Sequence, residues 1–277
     1  MMANDLEGLL VVPLFIGGSP AKLAFSKEAA AGIRVIVNLR YSWSTDQGGM
    51  GTLPEPSSER ETEFVQAAIA TIREGRGVWG WEIGNEANNP REWPAGARLT
   101  AEDVARVYAK IWNAVEVSDR LSPGALDPYN AQAGDPRDWL RVIWQRIELI
   151  AGAEFVAAHG YVRGPDAALV GSTARFTDAP LLWQYLNYPG CVTALLDALP
   201  TAYRYHPVYV TEFNHLFVDV EPNWGWVRDS RAGEVISAAY AVAKAFAGVA
   251  LYRWDGDAWA IRGNAAALDE VKGIGRV

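Results

Sequence analysis

The sequence predicts an α/β fold in which parallel strands alternate with helices, a (β/α)8 TIM barrel. Short apolar segments alternate along the chain with longer segments whose apolar residues recur at helical spacing. Polar and aromatic residues gather repeatedly just after the predicted strands, where a barrel keeps its active site. The chain has 277 residues, and such a barrel needs about 250. We therefore predict one domain over residues 1–277.

An open, doubly wound sheet is the alternative arrangement of alternating strands and helices. That fold is disfavoured because no Gly-x-Gly-x-x-Gly turn follows the first predicted strand. The predicted strands cover residues 9–16, 33–39, 78–86, 124–130, 155–161, 208–215 and 249–253. Pro13 cannot donate to a ladder, so the first strand is expected to be marginal or near an edge. Only seven strands are clear, which predicts an incomplete or degenerate first strand–helix unit, or an eighth piece within residues 1–7.

The helices follow from apolar periodicity and from N-terminal capping residues. They are predicted over residues 26–31, 58–74, 100–115, 135–150, 180–198, 231–247 and 263–272. Ser26, Thr100 with Asp103, and Asp135 before Pro136 are expected to start three of them. Residues 44–58, 162–179 and 216–229 read as loops, and these loops would shape any binding cleft.

Composition excludes several classes of protein. The formal net charge is −8 and no basic run is present, which argues against a nucleic-acid partner. The single cysteine, Cys191, permits no intrachain disulfide. The apolar segment 9–16 is too short for a membrane span and lacks the flanks of a signal peptide. We expect a soluble protein with no membrane partner, and the sequence leaves its compartment and oligomeric state open.

Metal and cofactor chemistry is also unexpected. The three histidines, His159, His206 and His215, show no close metal-ligand spacing. No Gly-x-Ser-x-Gly elbow is present, and Cys191 has no evident activating context. We therefore predict no metal and no cofactor.

Two glutamates follow apolar strand segments far apart in the chain. Glu86 ends the segment Trp81-Glu82-Ile83-Gly84-Asn85-Glu86, and Glu212 ends Val208-Tyr209-Val210-Thr211-Glu212. Side chains alternate along a strand, so Glu82, Gly84 and Glu86 would share one face. Glu82 is interpreted as an interior charge paired with Arg40 or Arg253, because buried charges are usually paired. Two strand-end carboxylates that face one cavity are the minimum set of catalytic groups for glycoside hydrolysis.

These segments resemble motifs of the large clan of retaining glycoside hydrolases that includes cellulases and β-mannanases. Asn85-Glu86 followed by Asn-Asn-Pro resembles the fourth-strand Asn-Glu motif of that clan. Val210-Thr211-Glu212-Phe213-Asn214 is similar to its seventh-strand nucleophile motif, His159-Gly160-Tyr161 to its sixth-strand His-x-Tyr, and Trp254 to its eighth-strand tryptophan. The resemblance covers residues 33–259. One departure is Val35-Ile36-Val37-Asn38-Leu39-Arg40, which ends in arginine where cellulase-like members end the third strand in histidine.

The resemblance implies roles for these residues toward a carbohydrate substrate. Glu86 would be the general acid/base, Glu212 the nucleophile, and Asn85 a partner of the sugar 2-hydroxyl. Tyr161 would orient Glu212, and His159 would bind sugar or hold Glu86. The remaining candidates for substrate binding, at the ends of strands, are Trp254, Arg40 and Trp43.

The motifs leave two other functions open. A barrel with the same aromatic cleft could bind carbohydrate without catalysis, and a transglycosidase could use the same covalent intermediate. The sugar, the linkage and the choice between endo and exo action are not encoded in readable motifs.

Overall fold

The computed structural model describes residues 8–41, 51–163, 167–171, 188–216, 231–243, 246–251, 265 and 268–269. Within these ranges, parallel strands alternate with helices, which confirms the predicted α/β class. The strands are β1 (Leu9–Ile16), β2 (Arg34–Tyr41), β3 (Gly80–Ile83), β4 (Leu121–Pro123), β5 (Val156–Arg163), β6 (Val208–Leu216) and β7 (Gly248–Leu251). The helices are α1 (Ser26–Ala30), α2 (Glu59–Glu74), α3 (Ala101–Trp112), α4 (Pro136–Ile150), α5 (Tyr188–Leu196) and α6 (Arg231–Ala243).

The chain divides into two compact units. The first unit comprises Glu7–Ala157 and Leu195–Pro207, and the second comprises Met1–Leu6, Ala158–Ala194 and Val208–Val277. The organisation of residues 1–277 as one domain stays a prediction. Among the described helices, none is long and apolar enough to cross a membrane.

The first unit contains a parallel sheet with the strand order β1-β2-β3-β4. Within that sheet β1 lies at one edge, as Pro13 predicts, and it pairs with β2 along all eight residues. Strand β2 is almost fully buried, and Val35, Ile36, Val37 and Leu39 are inaccessible to solvent. The core of this unit forms between these strands and the apolar faces of α2, α3 and α4.

The position of β4 corrects the sequence prediction. The strand covers Leu121–Pro123, whereas residues 124–130, predicted as the strand, form the loop behind it. Gly124 packs directly against the backbone of Gly84, and the Gly124 N–H donates to the Ile83 carbonyl at 2.8 Å. The pairing of β3 with β4 ends at this close contact. The strand Leu-Ser-Pro is too short to show an apolar pattern, so it could not be recognised from the sequence.

Two predicted caps, at Thr100 and Asp135, start helices as expected, and Ser58, which was not predicted as a cap, starts a third helix. The Ser58 side chain accepts from the Glu61 N–H, Thr100 and Asp103 form a reciprocal capping box, and Asp135 accepts from the Arg137 N–H. The predicted cap at Ser26 is wrong. Ser26 is the first helical residue of α1, and Phe25 precedes it without a side-chain cap.

The second unit contains most of a sheet with the strand order β5-β6-β7. Strands β6 and β7 pair in parallel, with a register irregularity between Val210 and Phe213. Tyr209, Val210 and Phe213 are fully buried and fix β6 in the core of this unit. Helix α5 is described from Tyr188, so residues 180–187 of the predicted helix lie outside the described residues, as does most of the predicted helix 263–272.

Candidate active site

The predicted site residues divide between the two units, so each group is described by itself. Arg40, Asn85 and Glu86 belong to the first unit, and His159, Tyr161 and Glu212 belong to the second. Trp43 and Trp254, which were also predicted to bind substrate, lie outside the described residues.

In the first unit, a tight turn after β3 carries Asn85 and Glu86. The strand ends at Ile83, and the backbone then adopts positive φ at Gly84 (83°) and at Glu86 (44°). The expected alternation of Glu82, Gly84 and Glu86 on one strand face is therefore wrong, because the last two residues are no longer extended. A non-glycine residue at positive φ is strained and persists only where its surroundings hold it.

Backbone hydrogen bonds hold Glu86 in this conformation. Its N–H donates to the Ala125 carbonyl at 2.7 Å, and its carbonyl accepts from the Asn89 N–H at 2.7 Å. The Ala125 N–H in turn donates to Glu82 Oε1 at 2.7 Å. Residue Ala125 thus links the buried carboxylate of Glu82 to the backbone of Glu86, and Glu82 is 1% exposed. The predicted pairing of Glu82 with arginine stays a prediction, and Arg253 lies outside the described residues.

A set of amide side chains connects the loop after β3 to the loop after β4. The Asn88 side chain donates to the Asp127 carbonyl at 2.8 Å and accepts from the Asp127 N–H at 2.9 Å. Asn89 Oδ1 accepts from the Asn130 side chain at 2.9 Å. From the sequence, this Asn-Asn-Pro segment was used only as the continuation of the Asn-Glu motif, and these hydrogen bonds were not predicted. The sequence feature that could have indicated these hydrogen bonds is the presence of Asn and Asp residues after two successive strands, because their side chains readily hydrogen-bond to backbone groups.

Asn85 has a buried side-chain acceptor. Its N–H donates to Thr52 Oγ1 at 3.1 Å, and the residue is 2% exposed. Among the described residues, Asn85 Oδ1 has no hydrogen-bond partner. A buried polar atom without a partner is costly and calls for an explanation, such as a donor that a ligand brings. Thr52, which was not singled out from the sequence, therefore helps to place this candidate binding group.

Arg40 supports the same turn through a neighbour. Its Nε donates to Asn38 Oδ1, and Asn38 Nδ2 donates to the Gly84 carbonyl at 2.8 Å. The guanidinium carbon also lies 5.9 Å from the centre of the Phe15 ring. The structure thus gives Arg40 contacts that stabilise the turn, and its predicted contact with substrate stays a prediction.

In the second unit, Tyr161 and His159 lie beside Glu212. The Tyr161 hydroxyl donates to Glu212 Oε2 at 2.9 Å, and His159 Nδ1 lies 3.7 Å from the same oxygen. Residues two apart on a strand share a face, which explains why His159 and Tyr161 of β5 reach one group on β6. Glu212 is only 6% exposed. A phenol that donates to a buried carboxylate stabilises the ionised form, the form able to act as a nucleophile.

Comparisons with known proteins show the fold. No family model and no curated protein matches the sequence. Among solved structures, a GH5-4 broad-specificity endoglucanase from an uncultured bacterium matches with a TM-score of 0.57 and 13% identity, over 96% of this chain and 81% of that chain. A fungal β-1,4-galactanase matches with a TM-score of 0.51 and 12% identity, over 88% and 76% of the two chains.

A glucosidase from Croceicoccus marinus matches with a TM-score of 0.55 and 10% identity. That match covers 82% of this chain and 44% of the glucosidase, so the chain spans less than half of that protein's length. Over most of its length the chain therefore has the fold of TIM-barrel glycosidases, as the sequence predicts. At these identities the likeness shows the fold, and the catalytic residues and the substrate are matters for proposal.

Proposed function

We propose that this protein is a retaining glycoside hydrolase that cleaves O-glycosidic bonds of an oligo- or polysaccharide, with residues 1–277 acting as one catalytic domain. The observation that carries the proposal is that the buried Glu212 carboxylate accepts a hydrogen bond from the Tyr161 hydroxyl. This contact occurs in a chain that has the fold of TIM-barrel glycosidases. The strained, well-held turn at Glu86 supports it, because such strain gathers at functional sites.

In the first step, Glu212 attacks the anomeric carbon, and the bond from that carbon to the leaving oxygen breaks. Glu86 gives its proton to that oxygen, so the leaving sugar departs as an alcohol and a glycosyl ester forms on Glu212. In the second step, Glu86 takes a proton from water while the water oxygen attacks the anomeric carbon. The ester bond breaks, Glu212 regains its negative charge, and the product keeps the configuration of the substrate.

The other residues position these two groups or bind the sugar. The Tyr161 hydroxyl holds Glu212 and limits its free rotation. The buried side-chain oxygen of Asn85 would accept a hydrogen bond from a sugar hydroxyl. Such a hydrogen bond lowers the activation barrier if it becomes stronger in the transition state. The carbohydrate would also be bound by His159, Arg40, Trp43 and Trp254. The mechanism requires no cofactor or metal.

The decisive experiment replaces the proposed nucleophile. Glu212→Ala should abolish hydrolysis of a panel of chromogenic glycosides, and added azide should restore turnover with a glycosyl azide as product. Glu234→Ala, which removes an exposed glutamate of the same unit, is the matched control and should retain activity. Normal activity of Glu212→Ala would refute the assignment.

The same assays separate the alternative functions. Sugar binding in calorimetry without hydrolysis of any glycoside would make the chain a carbohydrate-binding barrel instead. Transfer products that dominate in the presence of acceptor sugars would make it a transglycosidase with the same intermediate.

A further inference from the structure

A cavity lies in the first unit, between the loops that follow β3 and β4 and the starts of α3 and α4. Its volume is about 490 Å³, within the range of roughly 300–1,000 Å³ typical of small-molecule sites. Neither Asn85 nor Glu86 lines it, so the proposed chemistry does not use it. The lining residues that matter here are Trp93, Arg98, Glu102, Gln132, Asp138 and Trp139.

Two tryptophans, Trp93 and Trp139, line this cavity. Trp93 Nε1 donates to the Ala87 carbonyl at 2.7 Å, and Trp139 Nε1 donates to the Ala133 carbonyl at 3.0 Å. Both indole N–H groups are therefore engaged, and what the rings offer a ligand is their flat apolar surface. Trp93 is half-buried, so part of its surface is accessible, and its hydrogen bond fixes the orientation of the ring.

Two of the three acidic residues that line the cavity, Asp135 and Asp138, are paired with arginines. Asp138 pairs with Arg141, and Asp135 is held by Arg137. Burial works to raise the pKa of Asp135, but the hydrogen bonds and charge of Arg137 outweigh it, and the pKa lies below its ordinary value. The Asp135 carboxylate consequently stays ionised beside Arg137.

The exposed polar groups at the cavity are Arg98, Thr100, Glu102, Gln132 and Asp138, and Asp138 is paired with Arg141. Apart from that pair, Arg98, Glu102 and Gln132 supply planar donors and acceptors whose formal charges cancel. An anion would meet the nearby carboxylates, and a cation would meet Arg98. A neutral ring with one apolar face and several hydroxyl groups satisfies both the aromatic surface and the polar groups.

We propose that this cavity is a second carbohydrate-binding site, in which Trp93 stacks on a sugar unit and Arg98 and Glu102 hydrogen-bond its hydroxyls. The inference rests on the cavity itself and stands apart from the proposed catalysis. Trp93 is also tied to Ala87, the residue after Glu86, so a bound polysaccharide would rest against the loop that carries the proposed acid/base.

The test measures binding in the Glu212→Ala protein, so that no probe is consumed. Native gels containing soluble mixed-linkage β-glucan, β-1,4-galactan or xylan report polysaccharide binding through retarded migration. We expect at least one polysaccharide to retard the protein, and Arg98→Ala and Glu102→Ala each to raise the dissociation constant about tenfold, as the loss of a hydrogen bond to a charged group does. Arg91→Ala, an exposed arginine nearby that does not line the cavity, should bind like the parent.

Three results would overturn the proposal. They are the absence of retardation by every polysaccharide, equal binding by Arg98→Ala, Glu102→Ala and the parent, and a response to choline or inorganic phosphate in place of the sugars. Polysaccharide binding at this cavity can be measured independently of the proposed hydrolytic activity. In the otherwise wild-type protein, Arg98→Ala and Glu102→Ala should leave small aryl-glycoside hydrolysis unchanged, and a chain that hydrolyses nothing can still be scored for binding.

Discussion

The Tyr161 hydroxyl donates a 2.9 Å hydrogen bond to Glu212 Oε2, from β5 to the neighbouring strand β6. A donor on a carboxylate oxygen fixes the orientation of that group and stabilises its negative charge. The contact therefore ties the reactivity of the proposed nucleophile to a single phenol, which a conservative substitution can remove.

We expect Tyr161→Phe to lower kcat about 10- to 100-fold with little change in KM. The loss follows from removing one hydrogen bond to a charged group, worth about 1.5–3 kcal/mol. Steady-state kinetics on an aryl glycoside measure it. Tyr205→Phe, at a tyrosine that is 89% exposed, is the control and should behave as wild type. Equal kinetics for the two variants would show that Tyr161 does not act on the nucleophile.

The proposed acid/base predicts a dependence on the leaving group. Glu86→Ala should lose most activity on substrates with poor leaving groups, because these need the proton. Substrates with an activated leaving group, such as dinitrophenyl glycosides, should still form the glycosyl ester rapidly and then accumulate it, since water lacks its base. A pre-steady-state burst measures this accumulation. An equal loss of rate on both kinds of substrate would assign Glu86 a different role.

Local sequence was sufficient where one segment determines its own structure. The caps of α3 and α4 lie within three residues of the groups they bond, so the predictions at Thr100 and Asp135 are confirmed. The strand that precedes Asn85 and the strand that contains Glu212 were also found, because apolar runs followed by polar residues are visible in the sequence, although Glu212 lies within β6 and not at its end.

Distant contacts decide what could not be predicted. The backbone N–H of Glu86 bonds to Ala125, and the backbone N–H of Asn85 bonds to Thr52, and both partners are far away in the chain. Residues 124–130 look like a strand by composition, but the approach of Gly124 to Gly84 ends the ladder before them. No periodicity within a single segment contains that information.

The contact between Gly124 and Gly84 gives a prediction about the turn before Glu86. A Cβ at residue 124 would lie 2.4 Å from the Gly84 carbonyl oxygen, so the two segments must separate. We expect Gly124→Ala to lower the free energy of unfolding by about 1–3 kcal/mol, as overpacking does, and to reduce kcat through displacement of Glu86. Urea unfolding and steady-state kinetics measure the two effects.

Gly17→Ala provides the control for this substitution. A Cβ at residue 17 meets nothing within 4 Å, so stability and activity should stay near the wild-type values. If Gly124→Ala were as stable and active as Gly17→Ala, the two loops could not be packed as the structure shows.

A buried carboxylate between α2 and α3 predicts a pH-dependent contribution to stability. Glu61 is 1% exposed, and it accepts hydrogen bonds from Arg106, from Lys110 at 2.7 Å and from the Ser57 N–H at 2.8 Å. Burial works to raise the pKa of Glu61, but these hydrogen bonds outweigh it, and the pKa is lowered. A carboxyl group whose pKa is lower in the folded state stabilises the fold above its unfolded pKa.

We expect Glu61→Gln to lower the free energy of unfolding at pH 7 by about 1–3 kcal/mol, because Arg106 and Lys110 lose their shared partner. As the pH falls below about 4.3, the ordinary pKa of glutamate, and then through the lowered folded-state pKa, the wild-type protein loses the same stabilisation. The difference between wild type and variant should therefore shrink in acid. Urea unfolding at pH 7 and pH 3 measures this difference.

Glu74→Gln, at an exposed position of the same helix, is the control and should change stability little at either pH. A constant difference between Glu61→Gln and wild type at both pH values would mean that packing, and not the ionised carboxylate, accounts for the effect.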